Sequence, residues 1–467
     1  MGILIKNGEI ITASDRFVAD VYCEEGRISA VAPGLEKQRA DDTVIDASGQ
    51  IILPGGVDAH VHMELPFMGT ESSDDFETGT AAGVAGGTTT IIDFVIPSRG
   101  QHLLDGYAMW MEKAKKSVSD YAFHMAVTWF SDRTLTEMET CVRDHGITSF
   151  KTFMAYRGAI GIEDPELIQV MEKSATLGSL VTVHAEHGDA VVALQKKFLR
   201  EGKTEPKYHA MSRPAPVEGE ATARAIMLAR MMGNPVYIVH VTCKEAVDAI
   251  VEARTRGQVV MAETCPQYLL LDDSVYEKPD FEGAAYVMSP PIRPKGHQDA
   301  LWAAVAAGHI QTVATDHCPF NQVGQKDMGK DNFARIPNGA AGIENRLGLL
   351  WTAGVVEGRF DVHKFVDLFA TQPAKIFGLY PRKGAVVPGA DADIVVFDPH
   401  ATDVISAKTH HHRCDRSIFE GFQVKGKPSH VIVNGRVQFK EGKLDVQRGA
   451  GRYLPRQIHT FPKPVQS

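Results

Sequence analysis

The chain has 467 residues, of which 44% are hydrophobic and 23% are charged, and these ordinary globular values exclude extensive disorder. Its formal net charge of −9 argues against a surface that binds nucleic-acid phosphates. The six cysteines form no Cys-x-x-Cys pair, which argues against a zinc knuckle and a disulfide framework and fits a cytoplasmic location. Because no signal-peptide core and no apolar run of about 18 residues occurs, we expect no membrane partner.

The two ends of the chain show the same sequence pattern, in which short apolar strands are separated by turns. The N-terminal strands are expected at 3–5, 18–23, 28–31 and 44–47, and the C-terminal ones at 392–397, 430–435 and 437–439. We therefore predict a small β-sandwich domain built from both termini, residues 1–53 and 380–440. Residues 441–467 are predicted to form an extended C-terminal tail.

Between these ends, short apolar runs alternate with longer segments whose apolar residues recur at helical spacing. Segments 135–143 and 220–232 show the helical pattern. Eight apolar runs are the number that a (β/α)8 barrel needs, so we predict an α/β fold in which residues 54–379 form a TIM-like barrel. The runs occupy 56–62, 88–94, 123–129, 149–154, 180–186, 236–242, 259–266 and 312–319.

Metal-ligand residue types stand at the ends of these runs. If the first run is a strand, His60 and His62 face the same side and can hold one metal ion. An accidental pair fits the dipeptide spacing about equally well. Three other runs, however, end in His184, His240 and Asp316. Active sites of such barrels lie at the carboxyl ends of the strands, so all five side chains are expected to meet there.

Four histidines and an aspartate exceed what one tetrahedral zinc ion needs, which suggests two ions and a bridging group. Lys151, in the fourth run, is a candidate bridge because carbamylation by CO2 would make its side chain an anionic ligand. A lysine at this place is also typical of a surface-exposed strand end. The histidines at 410–412 are predicted to lie in an exposed loop, since contiguous residues cannot share one face of a strand.

Eight motifs spread along the chain carry a family resemblance. They are PGGVDAHVH (54–62), SFKTFMAY (149–156), VHAE (183–186), VHVTC (239–243), ETCPQY (263–268), SPP (289–291), TDHC (315–318) and IPNG (336–339). Together they resemble the dihydropyrimidinase and D-hydantoinase family of cyclic amidohydrolases. The resemblance implies a homotetrameric enzyme that opens the cyclic amide of dihydrouracil, dihydrothymine or 5-substituted hydantoins to give N-carbamoyl amino acids.

The resemblance also implies a metal centre of two zinc ions per subunit, bridged by carboxylated Lys151 and a hydroxide. Two such ions lower the pKa of a bridging water toward ~7, which provides hydroxide at neutral pH. Asp58 is interpreted either as orienting a ligand histidine or as capping a turn. The implied ligands are His60, His62 and Asp316 for one ion, and His184 and His240 for the other.

The family pattern assigns roles in catalysis and substrate binding as well. Asp316 is expected to accept the water proton and pass it to the leaving ring nitrogen. Tyr156 is expected to stabilise the oxyanion, and the backbone at Ser289 and Asn338 to bind the imide edge of the ring. A substituent on the saturated ring carbon is predicted to meet an apolar pocket made of Met63, Leu65, Phe67, Met68, Phe153 and Ile160.

Three other functions compete with this interpretation. A dihydroorotase characteristically has an arginine two residues after the second histidine, whereas Glu64 stands there and is predicted to repel a substrate carboxylate. An allantoinase also acts on a hydantoin, although the stretches 153–156 and 336–339 favour the dihydropyrimidinase branch. A non-catalytic scaffold, as in the collapsin response mediator proteins, would have lost metal ligands, and every ligand position is filled here.

Overall fold

The computed structural model describes residues 2–458, and its strands fall into an N-terminal, a central and a C-terminal group. The strands are β1 (Ile3–Lys6), β2 (Glu9–Ile11), β3 (Arg16–Val18), β4 (Asp20–Glu24), β5 (Arg27–Ala32), β6 (Thr43–Asp46), β7 (Ile51–Pro54), β8 (Gly56–Val61), β9 (Pro66–Phe67), β10 (Thr70–Glu71), β11 (Thr88–Val95), β12 (Asp120–Ala126), β13 (Ser149–Phe153), β14 (Leu180–His184), β15 (Val236–Ile238), β16 (Val260–Thr264), β17 (Thr312–Val313), β18 (Ile394–Val404), β19 (Gln423–Val433), β20 (Arg436–Lys440) and β21 (Lys443–Leu444).

The central group forms an eight-stranded parallel sheet in the order β17-β16-β15-β14-β13-β12-β11-β8. Its two edge strands approach each other, because Val61 and His317 form a parallel bridge and the His62 amide donates to the His317 carbonyl at 2.8 Å. The sheet therefore closes on itself, and the predicted (β/α)8 barrel is confirmed. Each of the eight predicted runs overlaps one of these strands, although β12 begins three residues before its predicted run.

Helices connect the barrel strands and end at recognisable signals. In α4 the Glu166 carboxylate accepts from the Glu163 amide at 2.8 Å, and the helix ends at Gly178, whose positive φ of 68° terminates the hydrogen-bond ladder. Among the helices of residues 2–458, none is long and apolar enough to cross a bilayer. The α-helices are α1 (Phe76–Ala85), α2 (Leu103–Ala114), α3 (Thr134–Arg143), α4 (Asp164–Leu177), α5 (Gly188–Arg200), α6 (Lys207–Met211), α7 (Ala215–Met232), α8 (Lys244–Thr255), α9 (Pro266–Leu270), α10 (His297–Ala306), α11 (Arg346–Leu350), α12 (Val362–Val366) and α13 (Gln372–Ile376).

Strands from both termini form two further sheets. One has the order β5-β4-β1-β6, and the other has the order β21-β20-β19-β18-β7-β2-β3. In the second sheet β7 pairs with β18, with Ile52 opposite Val396, so the chain ends meet in one structure. A separate apolar core, which includes Ile5, Val21 and Ile432, joins them. The predicted terminal domain is confirmed as an architecture, and the boundaries at 53 and 380 remain a proposal.

The C-terminal segment beyond β20 is extended, as predicted, but it is not a free tail. Leu454 and Arg456 are buried, and the Leu454 amide donates to the Tyr121 carbonyl at 2.8 Å. Leu454 belongs to an apolar cluster with barrel residues such as Ile92 and Ala122. The tail prediction is wrong for this part, because the segment completes the packing of the barrel strands. Residues 459–467 lie outside the described part of the chain.

A buried ion cluster joins the barrel to the terminal sheets. The Lys383 Nζ lies 2.7 Å from carboxylate oxygens of both Asp120 and Asp393, and 3.0 Å from one of Asp391. Asp120 begins barrel strand β12, whereas Asp393 immediately precedes β18 of the terminal sheet. Burial alone would lower the pKa of Lys383, but the carboxylates of Asp393 and Asp120 outweigh it and raise that pKa. The lysine therefore remains charged and holds three acidic groups together.

Replacing Lys383 with methionine is expected to destabilise the fold strongly. The change removes the cation that faces buried Asp393, whereas Arg452 still pairs with Asp120 and Asp391. Removing one partner of a buried pair costs about 3–5 kcal/mol. The measurement is the apparent melting temperature, compared with that of Lys427→Met. Lys427 is exposed and lies 3.8 Å from exposed Asp403, so its loss should cost only ~0–1 kcal/mol. Equal melting temperatures for the two variants would contradict the role given to Lys383.

Candidate metal centre

The six residues predicted to bind metal all lie at the carboxyl ends of barrel strands. His60 and His62 belong to the end of β8, Lys151 to β13 and His184 to β14. The register pairs Lys151 with Thr182 and Phe153 with His184, which places the lysine beside the histidine strand. His240 and Asp316 follow β15 and β17 directly, and both are buried or nearly so. Barrel closure therefore brings all six into one place.

His240 and Asp316 have an unusual backbone. Their φ angles are 40° and 51°, in the left-handed region that residues other than glycine seldom adopt. Tyr156, in the loop after β13, has a φ of 59°. Such conformations cost roughly 1–3 kcal/mol each and tend to cluster at functional sites. Here they turn the chain at the strand ends so that the three side chains face the same space.

Three of the residues converge around one carboxylate oxygen. The Asp316 Oδ1 lies 3.2 Å from the His60 Nε2 and 3.2 Å from the His62 Nε2. The Phe94 ring packs against both imidazoles, with centroid distances of 4.5 Å and 5.1 Å. A nearby aromatic wall limits the orientations that the rings can take. Two imidazole nitrogens thus approach the same carboxylate oxygen.

The other two histidines form a second group directly beside the first. The His184 Nδ1 and the His240 Nε2 lie 2.9 Å apart. Ligand atoms of His60, His240 and Asp316 also lie within 4.8 Å of one another, so the two groups border the same small space. Buried histidine nitrogens and a carboxylate are the donors that zinc and similar ions prefer. The donor set fits a metal centre.

Lys151 is fully buried beside these ligands, which corrects the alternative of a surface lysine. It is 1% exposed, and its Nζ lies 4.8 Å from the Phe94 ring centroid and 5.2 Å from that of Phe153. Burial lowers the pKa of Lys151 to about 8, against the opposing attraction of Glu263 and Asp316. A substantial fraction of the amine is therefore neutral near pH 7–8, and the neutral amine is the form that reacts with CO2.

Two carboxylates that the sequence reasoning did not single out hold the imidazoles. Glu263 accepts a short hydrogen bond from the His60 Nδ1, and its other oxygen accepts from the Tyr237 hydroxyl at 2.8 Å. Glu186 lies 2.7 Å from the His184 Nε2. Such partners fix which ring nitrogen is free for a metal. Both glutamates stand inside recognised motifs, two residues after His184 and at the start of ETCPQY, and that position was the available signal.

Asp58 acts on the backbone of the first ligand strand rather than on an imidazole ring. Its Oδ1 accepts from the backbone amides of His60, at 3.3 Å, and Thr315, at 3.2 Å. Its Oδ2 accepts from the Thr315 hydroxyl at 2.6 Å. Asp58 therefore ties the first barrel strand to the end of the eighth. It positions His60 through the backbone rather than through the imidazole ring.

The carboxylates around His60 favour the protonated form of its imidazole. Burial would lower the pKa of His60, but Glu263 and Asp316 outweigh it and raise the pKa to about 9. The same imidazole, acting against burial, holds the pKa of Asp316 well below its usual range. A cation that binds the His60 Nε2 must displace this proton. Glu263 and Asp316, which stabilise this proton, would attract a metal cation in the same way.

A cleft opens above the ligands. Tyr156, Ser289 and Asn338 line it, so the predicted substrate-binding residues are brought together with the ligands. The Asn338 Nδ2 donates to the Ser289 Oγ at 3.0 Å, whereas the Asn338 Oδ1 is buried and finds no partner within residues 2–458. That oxygen is a free acceptor at the wall of the cleft.

The predicted apolar pocket is largely present. Leu65, Phe67, Phe153 and Ile160 line the cleft. Met63 instead packs beneath Gly79, where an added Cβ would lie 2.2 Å from its sulfur. Met63 and Met68 do not line this cleft.

The electrostatic role predicted for Glu64 is wrong. Its backbone has a φ of 53°, and its carboxylate is turned to the Lys116 Nζ, at 2.7 Å. Glu64 is therefore neutralised by a lysine and does not line the cleft. Rejection of a charged substituent would have to come from the apolar side chains around the cleft instead.

The histidines at 410–412 lie in a loop, as predicted, but they are not exposed. His412 is only 5% exposed, and the His411 Nδ1 lies 2.7 Å from a Glu344 carboxylate oxygen. The His410 and His412 rings are 3.5 Å apart between centroids. The prediction of exposure failed because tertiary packing covers this loop with the segment that carries Glu344.

Comparison with known proteins agrees with this geometry. The model of the amidohydrolase family matches residues 51–438. The chain is 48% identical over 458 residues to a D-hydantoinase of Streptomyces coelicolor, covering 97% of each chain. It is 46% identical over 453 residues to a dihydropyrimidinase of Arabidopsis thaliana, covering 97% of this chain and 85% of that protein. This chain belongs to the dihydropyrimidinase and D-hydantoinase family of amidohydrolases.

The solved structures support the same assignment. The crystal structure of a dihydropyrimidinase from Brevibacillus agri matches with a TM-score of 0.97 at 46% identity. The match covers 99% of this chain and 100% of that one. The fold and the family resemblance predicted from the sequence are therefore confirmed, whereas the roles of individual site residues remain proposals.

Removing the charge of Glu263 is expected to weaken metal binding. In Glu263→Gln the amide is a poorer partner for the His60 Nδ1, and loss of such a partner typically costs about 10- to 100-fold in metal affinity. The measurement is the metal content after dialysis against a graded series of chelator concentrations. Glu252→Gln is the control, because Glu252 is exposed and pairs with Arg256 at the end of α8. Unchanged metal retention in Glu263→Gln would contradict the role of this carboxylate.

Proposed function

We propose that this protein is a metal-dependent cyclic amidohydrolase that opens dihydrouracil, dihydrothymine or 5-substituted hydantoins to N-carbamoyl amino acids. The observation that carries this proposal is the convergence of two adjacent ligand groups beneath a cleft lined by Tyr156, Ser289 and Asn338. Family membership gives the reaction class, since the similar proteins are named D-hydantoinase and dihydropyrimidinase.

The ligand groups fit two ions, and we assign zinc to both. When bound, such a pair supplies a hydroxide nucleophile at neutral pH and polarises the carbonyl under attack. The buried amine of Lys151, carboxylated by CO2, would then be the ligand shared between the two groups. The family resemblance divides the remaining ligands into His60, His62 and Asp316 on one side and His184 and His240 on the other. The contacts of Asp316 with His60 and His62 and the 2.9 Å between His184 and His240 support this division, although His240 also lies close to His60 and Asp316.

Asp316 is proposed to move the proton. Its Oδ1 faces the two histidines at 3.2 Å, which leaves the other carboxylate oxygen free to accept a proton from the attacking water. The same oxygen can return that proton to the ring nitrogen as the amide bond breaks. An aspartate is ionised at neutral pH, which is the form that this role requires.

Tyr156, Ser289 and Asn338 are proposed to hold the ring. The Tyr156 ring lies 5.3 Å from the His184 ring between centroids, which brings its hydroxyl near the carbonyl that is attacked. As the carbonyl carbon becomes tetrahedral, this hydroxyl donates to the oxyanion. The backbone at Ser289 and Asn338, together with the free Asn338 Oδ1, matches the alternating acceptors and donor of an imide edge.

Other proposals follow from family membership alone. A homotetramer and a cytoplasmic location are typical of such enzymes. A non-catalytic scaffold is the weaker alternative because all six ligand positions are filled and converge. An allantoinase remains the main enzymatic alternative, and substrate comparison separates it.

Lys151→Ala is expected to lose most of its metal and nearly all ring-opening activity, because the proposed shared ligand disappears. Metal content and turnover are measured together, with Lys203→Ala as a control at an exposed position. Short carboxylic acids added to Lys151→Ala should restore part of the activity by filling the gap. Full metal content with normal turnover would remove the carbamate from the proposal.

Tyr156→Phe deletes one hydroxyl while keeping the ring that packs on Phe67 and Phe153. If the hydroxyl stabilises the oxyanion, kcat should fall roughly 10²- to 10³-fold, as it does for other single donors. Metal content is determined alongside kcat so that a lost donor is not mistaken for a lost ion. A normal kcat with reduced thermal stability would show that the tyrosine is only structural.

A substrate panel tests the function itself. Dihydrouracil, dihydrothymine and apolar 5-substituted hydantoins should be opened, because Leu65, Phe67 and Phe153 offer apolar surface to a ring substituent. Dihydroorotate should be turned over poorly, since burying its carboxylate unpaired costs several kcal/mol. The measurement is kcat/KM for each ring. If allantoin gives the highest value, the allantoinase alternative replaces this proposal.

A further inference from the structure

A third fully buried lysine, besides Lys151 and Lys383, lies next to two segments that line the cleft and outside the proposed metal centre. Lys326 is 1% exposed and sits in the single-turn helix Lys326–Gly329. Its Nζ donates to three backbone carbonyls, those of Val287 at 2.8 Å, Pro337 at 2.7 Å and Gly339 at 2.7 Å. Burial lowers the pKa of Lys326 to about 7. In its ammonium form the group has three N–H donors, and this arrangement satisfies all of them.

The three acceptors belong to the two segments that border the proposed imide-binding edge. Val287 lies two residues before Ser289, whereas Pro337 and Gly339 flank Asn338 on both sides. The Gly339 amide also donates to the Val287 carbonyl at 3.0 Å, and the Asn338 Nδ2 donates to the Ser289 Oγ at 3.0 Å. The lysine is therefore the centre of a clamp that sets the spacing between these two segments.

The turn that carries Lys326 is itself fixed. The Lys326 amide donates to the Asn321 carbonyl at 2.9 Å, and the neighbouring Gln325 Nε2 donates to the Thr70 hydroxyl at 2.9 Å. Gly329 packs so closely on Ile336 that an added Cβ would lie 2.6 Å from the Ile336 nitrogen. The ammonium group is thus held from its own side as well as by its acceptors.

A buried cation is costly, and a methionine of similar length would avoid that cost. If Lys326 only stabilised the fold, its hydrogen bonds could go to carbonyl groups anywhere in the core. Here all three bonds go to residues adjacent to Ser289 and Asn338. We propose that Lys326 is a positioning residue for substrate recognition. It holds Ser289 and Asn338 at the spacing at which both can hydrogen-bond to the imide edge of the ring. This inference rests on the proposed function of the cleft.

The experiment compares hydantoin with 3-methylhydantoin, in which a methyl group replaces the hydrogen on the nitrogen between the two carbonyls. In the wild-type enzyme the ratio of the two kcat/KM values reports recognition of that edge. Lys326→Met should lower kcat/KM for hydantoin by about 10²-fold, mainly through KM, as expected for a misplacement of about 1 Å. The preference for hydantoin should shrink, while metal content stays that of the wild type.

Lys383→Met is the matched control, because Lys383 is also a fully buried lysine with three acceptors, far along the chain from the cleft residues. It should lower the melting temperature and leave KM and the preference ratio unchanged in the folded enzyme. A wild-type KM and a wild-type ratio in Lys326→Met would overturn the proposal, whatever the melting temperature. If Lys326→Met fails to fold, KM and the preference ratio are measured for Lys326→Gln, which keeps two N–H donors, and the same outcomes apply.

A double-mutant cycle tests whether Lys326 acts through Asn338. The ratio is measured for Asn338→Ala and for Asn338→Ala combined with Lys326→Met, or with Lys326→Gln if the methionine variant does not fold. Residues that act as one unit give non-additive effects, so the second change should add little to the first. Additive effects would overturn the proposal. A wild-type enzyme that opens neither hydantoin nor dihydrouracil would instead show that the proposed function is wrong, and this inference would fall with it.

Discussion

The contact between the first and the eighth barrel strand is the constraint on which the rest of the site depends. His60 and His62 end the first strand, whereas Asp316 follows the eighth, more than half the chain away. The bridge between Val61 and His317 brings these ends together, and Asp58 reinforces it through Thr315. Without closure the ligands would remain on opposite edges of an open sheet. The fold therefore creates the site by closing.

A second principle is that every buried charge in the central region is matched by groups of opposite charge or polarity. Glu263 and Asp316 face His60, and three aspartates surround Lys383. Unmatched charges at such depths would each cost several kcal/mol. Two buried lysines are less strongly stabilised as cations, because burial lowers the pKa of Lys151 to about 8 and that of Lys326 to about 7. Of the two, Lys151 lies among the predicted metal ligands, where its carboxylation is proposed.

The metal-ligand positions were predictable because they depend on short-range regularities. A spacing of two residues in a strand places His60 and His62 on one face, and parallel strands in a barrel end at the same rim. Glu263 was missed because its role depends on a partner 203 residues away, and a glutamate in a strand gives no periodic signal. The same reasoning erred on Glu64, whose charge is neutralised by Lys116, a residue just after α2.

The sequence by itself determined the alternation of strands and helices, the ligand types at the strand ends and the family. Those features are local, since they depend on the order of apolar and polar residues within each segment. Only the tertiary structure decided which side chains face each other: the burial of His412, the packing of Leu454 against the barrel and the clamp made by Lys326. These contacts join residues distant in sequence, and side-chain direction and burial arise only when the segments pack.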